Sequence, residues 1–474
     1  MNSLEISADQ FRQLADRITE LAANYLHSLD SRPIAPATTG EESVRLFESL
    51  LPEKGLAEQA FDDLSAVINS SRAQNGRFFG YVLGSGEPVG AAADLLASVL
   101  NQNVTAWRSG PAAVMLEKTV VGWLVQAIGC RGLRGYLTGG GSSANLMGLA
   151  MAREAIAPSN ESGVKANLTV YASEEIHMSI PKSIALLGIG RQNFRLIPTD
   201  SSLRMDLAAL EAKIVIDKRT GKTPLAVVAS AGTVKTGAID QLRKISEIAR
   251  RHGAWFHIDG AYGALAAIAE PQKFDGMALA DSISLDPHKW LYQPLDCGCL
   301  LYSDAHAGEK TFSHSGDYAR TLTSDPIEGF AFFEESLELS RRFRALKLWL
   351  SLRYYGLAAF RESIAKDLRQ ARRLCELIGK EARLELVAAG DLSAVCFRYR
   401  GTGDRSENDL NRINTELLQR LLQRGRVYLS NASIDGKFCL RACIVNHRTK
   451  DSDVEEVVRE VVFVGNDMNH AGSP

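Results

Sequence analysis

The segment DSISLDPHKWLYQPLDCGCLLY, residues 281–302, places Lys289 between two apolar strands. Ile283 to Leu285 reads as the first strand, Asp286-Pro287 as the turn that ends it, and the run to Tyr302 as the second. In open α/β sheets, ligands bind beyond the carboxyl ends of the strands, which is where this turn puts Lys289. An amine held there and partly desolvated can shed its proton and attack a carbonyl carbon. A lysine in a surface loop has the same local signature, so residues elsewhere must decide.

Gly139-Gly140-Gly141-Ser142-Ser143-Ala144-Asn145 sets glycines between a strand end and a helix. Such a turn leaves backbone amides bare at the positive end of a helix and suits a phosphate, with the Ser142 hydroxyl as a further donor. The pattern is neither a Walker loop nor a true G-x-G-x-x-G, and a plain tight turn competes with it. His257-Ile258-Asp259-Gly260-Ala261-Tyr262 ends an apolar strand on a carboxylate, which is costly there without a cationic partner. A protonated pyridine nitrogen is such a partner and makes its ring an electron sink; a capping or salt-bridged aspartate is the alternative. Ala261, two residues on, is small enough for a flat ring to lie against it. His177 follows Tyr171-Ala172-Ser173-Glu174-Glu175 and reads as a cap residue, a ligand or a ring-stacking partner. No His, Cys and Glu cluster at metal spacing surrounds it, so no metal is expected. A carbonyl for Lys289, a phosphate for the glycine turn and a pyridine for Asp259 are the groups of pyridoxal phosphate.

The elements that must position these residues alternate regularly over 133–302. Strands are expected at 135–138, 168–172, 194–197, 225–229, 255–259 and 282–285, with a helix at 144–155 and others between. Apolar strands interleaved with helices imply a mainly parallel sheet covered on both faces. Asp240 is expected to cap the helix carrying Ile245, Ile248 and Ala249. Upstream, Ser7-Ala8-Asp9-Gln10 resembles a capping box opening a helix with a single apolar stripe. Residues 30–60 read as a linker-like arm because of Pro33, Pro36 and Pro52. Helices at 91–100 and 112–128 flank a loop with Trp107 and Arg108. Beyond about residue 345 come helices at 343–355, 357–378, 407–424 and 452–463 and strands at 384–388, 394–399 and 438–444. The expected units are an N-terminal helical arm (1–75), a large α/β domain (76–345) and a small C-terminal α+β domain (346–474).

Hydrophobic residues make up 45% of the chain and charged ones 23%, the balance of a globular protein with a large core. The net charge of −2 argues against nucleic acid or an anionic membrane as the main partner. No apolar run reaches spanning length, and residues 1–30 are charged throughout, so neither a membrane helix nor a secretory signal is expected. Seven scattered cysteines do not form a disulfide framework, which points to a cytoplasmic protein.

Taken together, GGGSSAN, the histidine of SEEIH, HIDGAY, DPHKW and SRRFRALKLW (340–349) resemble the group II pyridoxal-phosphate-dependent amino acid decarboxylases, the aromatic-L-amino-acid and glutamate decarboxylase family. The resemblance runs from about Phe11 to about Phe463. It implies the α/β architecture called fold type I and a homodimer with the active site at the subunit interface. It implies that Lys289 bonds the cofactor, Asp259 pairs with the pyridine nitrogen, His177 stacks on one ring face and Ala261 touches the other. Gly141, Ser142 and His288 would hold the phosphate, and Ser230 stands where the family usually has threonine. The family also carries a catalytic tyrosine in a mobile loop before the RRFR run. Tyr318 stands at that distance, within the polar segment 311–329, and would protonate the substrate carbon once carbon dioxide has left. Phenylalanine at that position is associated with aldehyde-forming relatives, so Tyr318 favours simple decarboxylation.

The expected activity is that of a carboxy-lyase converting an L-amino acid to carbon dioxide and a primary amine. Tyr81, Val82, Thr105 and Trp107 are the candidate substrate residues. Tyr81 and Trp107 favour an aromatic substrate, while Val82 and Thr105 make the pocket smaller or more polar than the aromatic pattern. Arg108 would suit aspartate or glutamate, and 2,4-diaminobutyrate is a further alternative. An aldehyde synthase or aminotransferase on the same scaffold, or a non-catalytic nucleotide-binding protein, are the rival readings. Asp286 departs from relatives that have asparagine there: an acid beside a phosphate repels it unless protonated or paired.

Overall fold

The computed structural model describes residues 4–36, 38–164, 167–314 and 323–471. Its centre is a seven-stranded sheet: β1 (Arg134–Thr138), β2 (Leu168–Ser173), β3 (Phe194–Ile197), β4 (Thr223–Ser230), β5 (Trp255–Asp259), β6 (Ser282–Leu285) and β7 (Gly298–Tyr302). The order is β1-β7-β6-β5-β4-β2-β3. From β6 to β3 neighbours run parallel, whereas β7 is antiparallel to both β6 and β1. β2, β5, β6 and β7 are buried at every residue, as strands covered by helices on both faces must be. This is the mainly parallel sheet of fold type I.

A second, antiparallel sheet lies towards the C-terminus, with strands β8 (Leu384–Ala389), β9 (Ala394–Tyr399), β10 (Ser430–Ile434) and β11 (Lys437–Cys443) in the order β10-β11-β9-β8. The helices Glu407–Arg424 and Asp451–Ala471 pack with it. The helix Ala345–Lys380 leads into this sheet. At Gly356 (φ 76°, ψ 154°) its helical path is interrupted, so the two successive helices expected from the sequence meet at a kink there.

The helix Ala8–Ser28 opens with the expected capping box: the Ser7 hydroxyl accepts from the Gln10 amide, and the Gln10 side chain accepts from the Ser7 amide. Its stripe is not covered, since Phe11, Ile18 and Leu26 remain exposed.

Three expectations need correction. The prolines of 30–60 do not make a plain linker, because Thr39 and Glu42 form a second capping box that starts the helix Gly40–Phe47. Asp240 does not cap the helix Leu242–His252. Its carboxylate instead accepts the amides of Ser230 and Met205, each at 2.7 Å, and burial pushes its pKa up to about 6. The segment 311–329 does not begin as a lid, since Thr311 is buried in the helix Ala307–Phe312. Among the described residues no helix is long and apolar enough to cross a membrane.

Candidate active site

Ser230, Asp259 and Leu285 end β4, β5 and β6, so the parallel strands deliver their carboxyl ends to one edge. A cavity of about 460 Å³ lies there. Gly141, Ser142, His177, Ser230, Asp259, Ala261, His288 and Lys289 all line it, with Tyr81 and Val82. Thr105 and Trp107 do not line it: Trp107 N–H donates to the Phe330 carbonyl at 2.9 Å, and the Thr105 carbonyl accepts from Phe333. Tyr318 lies outside the described residues.

Lys289 sits on a single helical turn, Pro287–Trp290, that follows β6 directly. Its Nζ lies 2.7 Å from Oδ2 of Asp286, three residues back. His288 Nδ1 accepts the Cys297 amide at 3.2 Å, which leaves the proton of the neutral ring on Nε2, 3.5 Å from the same Asp286 oxygen. Burial lowers the pKa of His288 and favours that neutral form.

On β5, Asp259 is 6% exposed. Its Oδ1 accepts from the Ser284 hydroxyl at 3.2 Å and the Ala261 amide at 3.3 Å, and Oδ2 takes part in neither bond. At the glycine turn, the helix Gly141–Ile156 begins at Gly141 after Gly140 at φ 142°. A Cβ on Gly141 would come within 2.6 Å of the Ala261 Cβ and 3.0 Å of Asp286 Oδ2, so only glycine fits. The first amides of that helix have no intrahelical acceptor and border the cavity.

His177 is held from behind by a buried chain of side chains. The Trp255 indole N–H donates to Ser282 Oγ (2.8 Å), Ser282 Oγ lies 2.7 Å from His257 Nδ1, and His257 Nε2 lies 2.9 Å from Asn145 Oδ1. Asn145 Nδ2 then donates to Ser179 Oγ (2.9 Å), which lies 2.8 Å from His177 Nδ1. Burial lowers the pKa of His177, and drives that of His257 down to about 4.

Arg441 had no signal in the sequence. It comes from β11 in the other sheet, is 5% exposed and lines the cavity. Nη1 donates to Ser430 Oγ at 2.7 Å and the Gly80 carbonyl at 3.2 Å, while Nε and Nη2 are buried with no hydrogen-bond partner. A guanidinium so placed is costly until an anion reaches it. The SRRFRALKLW run is a clamp instead of a lining. Arg341 pairs with buried Glu117 and donates to the Val104 and Leu137 carbonyls. Arg344 and Lys347 bind Asp296 and the Pro294 carbonyl, bracing the loop after Lys289.

Pyridoxal phosphate fits these residues. Bare helix amides and Ser142 are suited to its phosphate, Asp259 would suit its ring nitrogen and Lys289 its aldehyde, and the volume lies within the range of small-molecule sites. Asp286 has no counterpart among the cofactor's groups, and its Oδ1 is buried and unpartnered.

Residues 41–400 match the pyridoxal-dependent decarboxylase conserved domain. Over 473 residues the chain is 32% identical to an aromatic-L-amino-acid decarboxylase of Bacillus atrophaeus, covering 98% of each protein. It is 30% identical to a phenylacetaldehyde synthase of Petunia hybrida, covering 93% of this chain and 91% of that one. A crystal structure of Oryza sativa TDC with PLP and tryptamine superposes with a TM-score of 0.92 at 28% identity, covering 99% of each chain. The chain therefore belongs to the pyridoxal-dependent decarboxylase family, with pyridoxal phosphate as its cofactor.

Proposed function

We propose that this chain is an L-amino acid α-decarboxylase, a carboxy-lyase that releases carbon dioxide and a primary amine from an aromatic L-amino acid. The observation that carries the reaction is the convergence of Lys289, Asp259 and the glycine turn on one cavity. The aromatic substrate is supported by the relatives' activities and by Tyr81, which lines the cavity and is half exposed.

When bound, the cofactor supplies a conjugated ring that takes up the electron pair left by departing carbon dioxide. Asp259 would keep the ring nitrogen protonated, and neutral His177 and Ala261 would lie against the ring. Gly141, Ser142 and His288 would hold the phosphate, with Ser230 beside the ring. Arg441 receives the substrate carboxylate on its two free N–H groups and orients the bond to be broken. Tyr318 returns a proton to the substrate carbon.

The functional unit is a homodimer. Its support is the uncovered stripe Phe11, Ile18 and Leu26, together with Leu95, Leu96 and Val99 exposed on the helix Pro88–Leu100. Thr105 and Trp107 then act as substrate residues only by facing the partner's cavity. The three-unit division (1–75, 76–345, 346–474) follows the two sheets. All seven cysteines are free thiols, which suits a cytoplasmic location.

The phenylacetaldehyde synthase relative supports a second reading, aldehyde formation, which Tyr318 opposes. Purified enzyme incubated with a panel of L-amino acids, with carbon dioxide, amine and aldehyde all quantified, separates the two. Equal amounts of amine and carbon dioxide from an aromatic amino acid are expected, and Tyr318→Phe should divert product to aldehyde. No carbon dioxide from any amino acid would refute the reading.

A further inference from the structure

Asp286 is 3% exposed, and its position is awkward for a phosphate site. A Cβ on Gly141 would touch its Oδ2 at 3.0 Å, and one on Gly140 would lie 4.0 Å from Oδ1. The carboxylate therefore lies directly under the turn whose bare amides would take the cofactor's phosphate. Oδ1 has no hydrogen-bond partner, and Oδ2 is held by Lys289 Nζ. Lys289 is also the residue the cofactor engages, so its arrival removes the one close cation from Asp286.

The other groups facing Asp286 do not replace that cation. From its own turn, His288 offers a neutral N–H at 3.5 Å, and its Nδ1 cannot take a proton without giving up the Cys297 amide. On the adjoining strand and loop are Asp259, a second acid, and His177, whose pKa burial lowers. From the β7 side come Asp296 and the thiols of Cys297 and Cys299, both pushed up by burial. Arg344 approaches Gly139 but is occupied by Asp296 and Glu338. A dianionic phosphate beside a bare carboxylate would be repelled in this dry site.

We propose that Asp286 is a proton-sharing positioning residue for the cofactor: one proton taken from solvent lies between Asp286 and a phosphate oxygen, so the site binds the phosphate with proton uptake. This rests on the pyridoxal phosphate reading of the cavity. A cradle of amides alone prefers the dianion, so its affinity would rise to about pH 6, the second phosphate pKa, and then level off. With a shared proton, affinity falls about tenfold per pH unit above neutrality.

The test uses the full-length chain freed of cofactor and pyridoxal 5'-phosphate, whose aldehyde engages Lys289 and so draws that amine away from Asp286. Titration calorimetry at about pH 8, in buffers of different ionisation enthalpy, should find close to one proton taken up per ligand. Asp286→Asn and Asp286→Ser should each bind more tightly at that pH and take up about one proton fewer than the wild type, with a shallower loss of affinity as pH rises. Near-UV dichroism checks that both variants fold, and the wild-type uptake stands without them. Binding by the wild type with no proton uptake, or equal uptake by both folded variants, would overturn the proposal alone. No binding at any pH would overturn the cofactor reading as well.

Discussion

His257 Nε2 lies 2.9 Å from Asn145 Oδ1, in the middle of a hydrogen-bond chain whose direction the Asn145 amide sets. Asn145 Oδ1 can only accept, so neutral His257 holds its proton on Nε2 and its Nδ1 accepts from the Ser282 hydroxyl, whose oxygen also accepts the Trp255 indole N–H. Asn145 thus presents its oxygen to the His257 proton and its amide to Ser179, and Ser179 donates to His177 Nδ1. The Ser179 amide also donates to His177 Nδ1, at 3.3 Å, which leaves the proton of neutral His177 on Nε2. The core of the sheet thus sets the tautomer of a ring in the cavity.

Asn145→Ala breaks this chain at its centre without touching the cavity's charged groups. It leaves the His257 N–H and the Ser179 hydroxyl short of a partner each, both buried. Urea unfolding should show a loss of about 1–3 kcal/mol. Because His177 is then free to reorient, kcat/KM should fall by about tenfold or more while cofactor stays bound. Unchanged kcat/KM in a folded variant would mean that the chain does not position His177.

His257 also gives the protein an acid limb. Its pKa falls from 6.5 to about 4 because burial penalises the imidazolium. Between those values the unfolded chain binds more protons than the folded one, so stability falls as pH drops through that window and is level above it. For this group the loss amounts to about 3 kcal/mol. The stability difference between wild type and His257→Gln, read from denaturant unfolding, should shrink by that amount from about pH 7 to about pH 4. An equally steep curve in the variant would assign the limb to other groups.

What the sequence made legible and what it hid follow from range. Lys289, Asp259 and Gly141 were readable because each sits at a strand end marked by its neighbours: Asp-Pro, Asp-Gly and a run of glycines. Asn145 lay inside GGGSSAN, yet read as part of a phosphate turn, because its partner His257 is 112 residues away. Arg441 belongs to a different sheet, in the strand KFCLRAC, where one arginine looks like an ordinary outward side chain. Only the packing of the two sheets brings it to the cavity. β10 was missed although Asp435-Gly436, both at positive φ, is a strong hairpin turn. Its Ser, Asn and Ser residues had masked the strand.

Arg441→Met keeps the length of the side chain and removes the charge. If the guanidinium takes the substrate carboxylate, the loss should be about 1.5–3 kcal/mol of transition-state binding, or about 10- to 150-fold in kcat/KM. Cofactor absorbance should be unchanged, since no cofactor group is assigned to Arg441. Arg441→Lys should recover part of the loss. A variant that loses cofactor in step with activity would place Arg441 at the phosphate or ring instead.

Asp367 titrates in the opposite sense to His257. It is fully buried, Oδ2 accepts from the Tyr292 hydroxyl at 2.9 Å and the Asn446 amide at 2.8 Å, and Oδ1 has no partner. Burial raises its pKa from 3.8 to about 7, outweighing both bonds. The folded chain then holds the proton more tightly than the unfolded one, so this group's stability is complete in acid and is lost as pH rises from 3.8 to about 7. Asp367→Asn is neutral at every pH and keeps one oxygen for Tyr292 and Asn446. Its stability relative to wild type should climb over that window by up to about 4 kcal/mol and then hold level. Because Tyr292 lies three residues beyond Lys289, the same titration should tighten cofactor retention in the variant at about pH 8. A stability difference that stays constant from about pH 5 to about pH 8 would show that Asp367 is ionised throughout and that burial does not govern it.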